Sequence, residues 1–558
     1  MADETNLLDQ LIGQVPDEML RHRLAHEIDL LRGSRRFGMV FDRHLPESVR
    51  LVDYPIRRKG LRVALRDEST GQTWKVLRFT DRTCDVAVLD GDGGARHVSE
   101  LVVVREFGEP IYPGLKSVER HPNGHEDAPW HIVINGENFH ALQALRSTHR
   151  GKVDLIYIDP PYNTGNDGWI YNDRYVDQSD RAKSSKWLSF LERRLLIARD
   201  VLKPTGVVIV AIGDEEHHRL RMLLDQVFGD QNFIMNVAWQ GGVSALSRHH
   251  GGGLDYMLVY GRDASLVGQF LDPKPLAPEM LKVARDAIGA GKSVEEAQQA
   301  LRQFIKTDGK DLPPGVRRFN RVDENGEVFL EGDLVNSAYR PNLRFAITDP
   351  VTGKTYDPPA NGWKVGKEMM AELIESDRII FDGDRIPTRK RLLKEQLVSL
   401  VSPSFYRDRR TASNRLAAQL GEKRFPFPKD HEVLMRWFRM AAPPDGVIFD
   451  FFGGSGTTTE AVMRLNAEDG GTRQSILVTN NEVGAQEAKK LRATGHHPGD
   501  REWEATGVFT YVCRPRISTV VTGERPDGST YSDGVPANVE MFDLTDRKST
   551  RLNFSHRT

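Results

Sequence analysis

The sharpest chemical signal in the chain is Asp159-Pro160-Pro161-Tyr162, directly after the apolar run 153–158 and before Asn163-Thr164-Gly165. Two successive prolines fix φ and remove two donors, so the Pro160 carbonyl is held rigidly next to the Asp159 carboxylate at a strand's C-terminal end. Two acceptors then converge on one point. An exocyclic amine of adenine or cytosine is a poor nucleophile because its lone pair is delocalised into the ring, and two acceptors on its hydrogens favour the pyramidal, nucleophilic form. Tyr162 supplies a face on which an extruded base can stack, since such an atom is out of reach inside a duplex. On the tetrapeptide alone a plain strand-closing turn is an equally open reading, and Asp357-Pro358-Pro359-Ala360 shows how cheaply Asp-Pro-Pro arises.

The second signal is Asp450-Phe451-Phe452-Gly453-Gly454-Ser455-Gly456-Thr457-Thr458, between an apolar strand at 447–449 and a helix expected over about 458–465. Glycines let backbone approach a ligand closely, and free N–H groups at a helix start favour a carboxylate or phosphate. The Gly-Lys-Ser/Thr of a P-loop is absent, and a lone Gly-rich turn often does no more than tighten a strand–helix junction. The next strand, 476–479, leads into Asn480-Asn481-Glu482, and an acid after the second strand is the usual partner of ribose hydroxyls. Loop and Glu482 together read as a nucleoside site; without the loop, Glu482 reads equally well as a solvated carboxylate.

These motifs need a sheet to present them. The run 153–158 is apolar on both faces, as buried parallel strands are. A helix over 187–202, stopped by Pro204-Thr205-Gly206, precedes the strand 207–212. Helix–turn–strand alternation predicts a doubly wound α/β sheet, and the loss of regularity between about 240 and 400 predicts that an insertion splits it. Ahead of it lie a helical lead-in over 7–32 and a small antiparallel β module over 49–106, then a Pro-, Gly- and His-rich linker.

Composition bounds the rest. The chain has 558 residues, 39% hydrophobic, with 77 Lys and Arg against 79 Asp and Glu and a net charge of −2. That length predicts two or three domains, and the balance fits a globular protein. Two isolated cysteines, Cys84 and Cys513, fit a reducing compartment and cannot build a zinc site; His249-His250 and His496-His497 lack partner ligands, so no metal is expected. No apolar run approaches the roughly 20 residues that span a bilayer, and no secretory signal is readable, so a cytoplasmic location is expected.

Taken together, the motifs resemble those of the amino-group DNA methyltransferases that use S-adenosylmethionine, in the β order, with the Asp-Pro-Pro-Tyr box roughly 290 residues ahead of the Gly-rich loop. Within that group, Asn135-Gly136-Glu137-Asn138, 153–165, Trp187-Leu188-Ser189-Phe190, Val227-Phe228-Gly229, the stretch from Arg340-Pro341-Asn342-Leu343-Arg344 to Gly362-Trp363-Lys364, and Asn466-Ala467-Glu468-Asp469-Gly470-Gly471 look like the modification subunit of type III restriction–modification systems. The resemblance runs from about 130 to 545. It implies that Asp159 and Pro160 bind the target amine, with Pro161 in the same box and Tyr162 stacked on the base. Asp450, Gly453, Ser455, Gly456 and Thr457 would hold the methionine end of S-adenosylmethionine, Glu482 the ribose, and Glu137 would lie near the cofactor adenine. Phe425-Pro426-Phe427-Pro428-Lys429 resembles the segment that closes over the cofactor. Asp at the head of the box favours adenine N6 over cytosine N4.

The implied protein is a Rossmann-like methyltransferase with these domains: an N-terminal lead-in and β module over 1–110, a linker over 111–129, the first catalytic half over 130–235, a target-recognition region over 236–420, and the second catalytic half over 421–545. Its implied partners are duplex DNA, a second copy of itself and a helicase–nuclease restriction subunit. A solitary or phage-defence adenine methyltransferase, an N4-cytosine enzyme and an inactive DNA-binding scaffold are the alternatives. Apolar residues over 187–202 and 220–233 are the expected dimer face, although core is the commoner fate of such residues.

Between Arg385 and Arg424 stand eleven Lys or Arg against three acids. This local excess predicts a phosphate-contacting face carrying Arg389, Lys390, Arg391, Arg407, Arg409 and Arg410, with a solvated surface as the plain alternative. Phe405, Tyr406 and Trp437 either stack on bases or pack. From Asp546 onward the residues resemble a translated sequencing adapter, so 546–558 is expected to be a non-native tail and the native protein to be longer.

Overall fold

A computed structural model describes residues 55–106 and 113–546, apart from 67–71, 82, 165–168, 172–173, 177–181, 242–252, 275, 310–311 and 313, together with scattered residues before 55. Most of the expected lead-in and all of 547–558 lie outside the described residues. The chain forms two compact units, one of residues 1–268 and 402–558, the other of residues 269–401.

The first unit opens with a six-stranded antiparallel sheet running from Ser48–Leu51 to Leu101–Glu106. Alternating residues Val63, Trp74, Val76, Ala87 and Val103 make its core. This is the β module expected from the two-residue periodicity.

The rest of that unit is a ten-stranded sheet. Its strands are β1 (Pro113–Pro122), β2 (Trp130–Asn135), β3 (Val153–Ile158), β4 (Leu202–Gly213), β5 (Phe233–Gln240), β6 (Leu254–Gly261), β7 (Ser404–Tyr406), β8 (Val447–Asp450), β9 (Gln474–Thr479) and β10 (Asn538–Asp546), in the spatial order β7-β5-β6-β4-β3-β8-β9-β2-β10-β1. The run from β4 through β10 is parallel. Helices α1 (Asn138–Thr148), α2 (Lys183–Val201) and α3 (Asp214–Phe228) share one core with Ile156, Ile158, Val208 and Val210. Among the later helices are α4 (Arg410–Leu420), α5 (His431–Ala441), α6 (Thr457–Asp469), α7 (Ala485–Ala493) and α8 (Arg514–Thr522). Val133 and Leu477 turn the other way, onto Met463 of α6 and Ile517 and Val520 of α8. A sheet covered on both faces leaves its strands apolar throughout, and β3 is buried at every position.

The expected linker requires correction. Residues 113–122 form the edge strand β1, paired antiparallel along the whole of β10. A Pro at the first position of an edge strand costs little, and the partner strand lies more than four hundred residues away, beyond the reach of local composition.

The second unit, 269–401, is narrower than the expected 236–420, because β5, β6 and β7 join the large sheet. It holds two antiparallel-paired helices' worth of core around Met280, Leu281, Ala297 and Leu301, and a second cluster around Trp363, Ile347 and Leu373. Its four-stranded sheet includes Val328–Gly332 paired with Thr388–Leu392. Among the described residues no helix is long and apolar enough to cross a membrane.

Candidate active site

β3 and β8 lie side by side and parallel, with Leu155 opposite Ile448 and Ile156 opposite Phe449. From β3 the chain goes outward through α2 to β4, and from β8 it goes the other way through α6 to β9. The crevice between them is therefore the topological switch point, where ligands of open α/β sheets bind. Asp159 follows the end of β3 and Asp450 ends β8, so two motifs remote in sequence meet at one edge.

On the β8 side, both Asp450 oxygens are used: Phe452 N–H donates at 2.8 Å and the Thr458 hydroxyl at 2.6 Å. Burial nevertheless pushes this carboxyl up to about 7. Gly456, with φ 84°, is the N-cap of α6 and offers no side-chain cap, which leaves the first-turn N–H groups for an anion. A side chain at Gly453 would put its Cβ 2.4 Å from Leu477. The hydroxyls of Ser455 and Thr457, both buried, accept from Arg516 of α8 at 2.8 and 2.7 Å. They brace the loop from within, and the backbone is left to face a ligand.

On the β3 side, the box is clamped by α2 and α3. The buried Trp187 indole donates to the Pro161 carbonyl at 2.6 Å, and the Asn163 amide, in the left-handed region at φ 58°, donates to Glu216 at 2.7 Å. Ser184 donates to the same Glu216 oxygen at 2.7 Å. Tyr162 lies against Gly213, where an added Cβ would sit 2.8 Å from its ring. Asp159 faces Lys429, whose Nζ is 3.2 Å away. Burial raises the Asp159 carboxyl, Lys429 opposes the rise and Asp255 adds to it.

A family model described as DNA methylase matches residues 153–490. The chain belongs to that DNA methylase family. It is similar to the Mod subunit of the type III restriction–modification enzyme EcoP15I of Escherichia coli, at 27% identity over 63% of this chain and 58% of that protein. It is also similar to the StyLTI Mod subunit of Salmonella typhimurium, at 30% over 62% and 52%, and to the type II methyltransferase M.KpnI of Klebsiella pneumoniae, at 32% over 62% and 80%. The chain thus spans between half and three fifths of the two Mod subunits. Among solved structures it overlaps the cytosine-N4-specific PvuII DNA methyltransferase at 11% identity, covering 69% of this chain and 88% of that one, with a TM-score of 0.31.

Glu137 caps α1. Its carboxylate accepts from His140 N–H at 3.1 Å and pairs with the buried Arg194 at 2.6 Å, so it anchors the end of β2. Glu482, just past β9, is exposed to water, and the protein around it pushes its carboxyl up to about 7. The six basic residues divide. Arg389, Lys390 and Arg391 belong to the second unit, where Lys390 pairs with Asp323 and Asp377 at 2.7 and 2.9 Å while Arg391 is exposed. Arg407, Arg409 and Arg410 belong to the first, paired with Asp430, Asp255 and Asp408.

Trp437 is core, Phe405 stacks on Trp239 with centroids 5.8 Å apart, and Tyr406 is exposed. The expected dimer face is corrected: Trp187, Leu188, Leu191, Leu195, Leu220, Leu223 and Leu224 are all buried beneath the sheet. Sequence reasoning missed Asp255, Arg516, Arg194 and the individual role of Lys429. Only Asp255 left a readable signal, as a lone acid opening an apolar strand.

Proposed function

We propose that the chain is a site-specific DNA methyltransferase that transfers the methyl of S-adenosylmethionine to adenine N6 in duplex DNA, as the modification subunit of a type III-like restriction–modification system. The observation that carries this reading is the meeting of Asp159 and Asp450 at one switch-point crevice. S-adenosylmethionine supplies, when bound, a methyl made electrophilic by a positive sulfur. The residues fit it: the uncapped start of α6 suits its carboxylate, and Glu482, just past the end of β9, suits the ribose hydroxyls. The target base leaves the stack and lies against Tyr162. The Asp159 carboxylate and Pro160 carbonyl accept from its amine, turning the nitrogen lone pair toward the methyl, and Asp159 takes the proton the amine releases. Neither cysteine can attack the base, since Cys513 is buried under the Gly-rich loop and Cys84 belongs to the β module.

Changing Asp159 to Ala should abolish transfer and leave S-adenosylmethionine affinity, measured by calorimetry, close to wild type. Normal turnover by that variant would sink the reading. Mass spectrometry of nucleosides from methylated DNA separates N6-methyladenine from N4-methylcytosine. A second reading is a methyltransferase without a restriction partner; what keeps it open is that the similarity is not confined to Mod subunits, since the chain also covers 80% of the type II methyltransferase M.KpnI. Co-purification with a helicase–nuclease subunit, and sedimentation for the homodimer that the resemblance implies, decide between the two.

A further inference from the structure

Lys429, between α4 and α5, places its ammonium among the groups the target amine has to meet. Its Nζ lies 3.2 Å from Asp159 Oδ1, donates to the Tyr162 hydroxyl at 2.5 Å and to Asp255 Oδ2 at 3.0 Å, and stands 4.7 Å from the Tyr162 ring centroid. A nitrogen bearing hydrogens, beside Asp159 and against the tyrosine face, is what an extruded adenine would bring to the same spot. Asp255 is buried at 3% exposure and also holds Arg409 at 2.9 Å, so two cations and two carboxylates form one balanced cluster.

Resting on the reading of Asp159 as acceptor of the target amine, we propose that Lys429 is a positioning residue: its ammonium holds the amine's place beside Asp159 until a base arrives, then withdraws onto Asp255 while its charge keeps Asp159 an acceptor. The bond to Asp255 already exists, so withdrawal from Asp159 leaves the lysine paired. An opposite charge within roughly 4–6 Å still favours the ionised carboxylate. Without it Asp159 would face Asp255, Asp450 and Tyr157, with Arg409 the remaining cation among the described residues and engaged by Asp255. Burial alone would lower the Lys429 ammonium, and Asp159 and Asp255 raise it above its ordinary value, so it stays charged through neutrality.

The test uses the full chain with K429M and K429R. Methyl transfer is followed from about pH 6 to about pH 9, where an essential base shows as an acid limb in kcat. K429M should move that limb upward by about one pH unit or more, and K429R should restore it. A loss uniform across pH, or one that K429R does not repair, overturns the proposal. Infrared difference spectra give a readout without turnover: K429M at neutral pH should show a protonated carboxyl band that disappears in K429M/D159N and persists in K429M/D255N. A missing band, or one removed only by D255N, also overturns it. If wild type transfers no methyl, the proposed function fails and the infrared result still decides the Lys429–Asp159 link. Should K429M not fold, wild type against D159N is titrated instead, and an Asp159 band already present at neutral pH overturns the proposal.

Discussion

Asp450 shows how a single residue of the crevice can be conformationally satisfied and electrostatically uneasy at once. Its two bonds, from Phe452 N–H and the Thr458 hydroxyl, hold the loop's entry, while burial lifts its carboxyl to about 7. A folded-state value above the unfolded one means that the folded chain binds the extra proton. The stability this group contributes is present in full below its unfolded value, near 3.9, and is lost as pH rises through about 7. D450N keeps an acceptor for Phe452 and offers a donor to Thr458, without a charge to desolvate. In ligand-free protein its melting temperature should lie close to wild type near pH 4 and exceed it near pH 8, since each tenfold difference in proton affinity between the folded and unfolded chain corresponds to about 1.4 kcal/mol. Thermal melts at both pH values check this, and a variant less stable at the higher pH would contradict it.

At the scale of elements, α8 braces the cofactor-side loop through one guanidinium. Arg516 bonds Ser455 and Thr457 on that loop and Glu460 of α6 at 2.7 Å, with Glu460 also taking Gln419 of α4 at 2.6 Å and Arg464 at 2.8 Å. Burial works to raise the Glu460 carboxyl, and Arg516, His431 and Arg464 overcome it and hold it at about 2. That contribution is present above the unfolded value of roughly 4.3 and fades as pH falls toward 2. Removing one member of a buried pair strands the other, so R516M should cost about 3–5 kcal/mol in denaturant unfolding. R516M/E460M should recover part of that loss, because the buried Arg516–Glu460 pair goes as a whole, while Arg464, which also loses Glu460, keeps some contact with water. Losses that simply add would show that the two residues act independently. Both variants should bind S-adenosylmethionine more weakly, since the loop hydroxyls lose their anchor.

At the scale of the molecule, the basic residues read from the sequence as one face are shared between two units and do unequal work. On the strand Thr388–Leu392 side chains alternate, so Lys390 points to the opposite side from Arg389 and Arg391. Lys390 spends its charge on Asp323 and Asp377 within the unit, whereas Arg391 is open to water. R389Q/R391Q should weaken binding to all duplexes alike and reduce the salt dependence by a slope of about one per lost contact. K390Q should leave that slope nearly unchanged and lower the melting temperature instead. Fluorescence anisotropy over a salt series, with melts alongside, separates the two. A fall confined to one DNA sequence would mean that these arginines read bases.

The chain's own order of residues determined the β module, the buried strand before the Asp-Pro-Pro-Tyr box, the Gly-rich turn and the doubly wound class. Those features rest on local periodicity and on backbone constraints that proline and glycine impose within a few residues. Tertiary structure alone decided that Asp159 and Asp450 share a crevice, since strand order is set by which faces bury together rather than by distance along the chain. It also turned a Pro- and Gly-rich stretch into edge strand β1 through its pairing with β10, and moved the apolar residues of α2 and α3 from a supposed interface to the core. Lys429, Asp255, Arg194 and Arg516 escaped sequence reasoning for one reason. A charged side chain is cheap on the surface and costly inside, and only the folded neighbours reveal that these four lie within reach of a counter-charge.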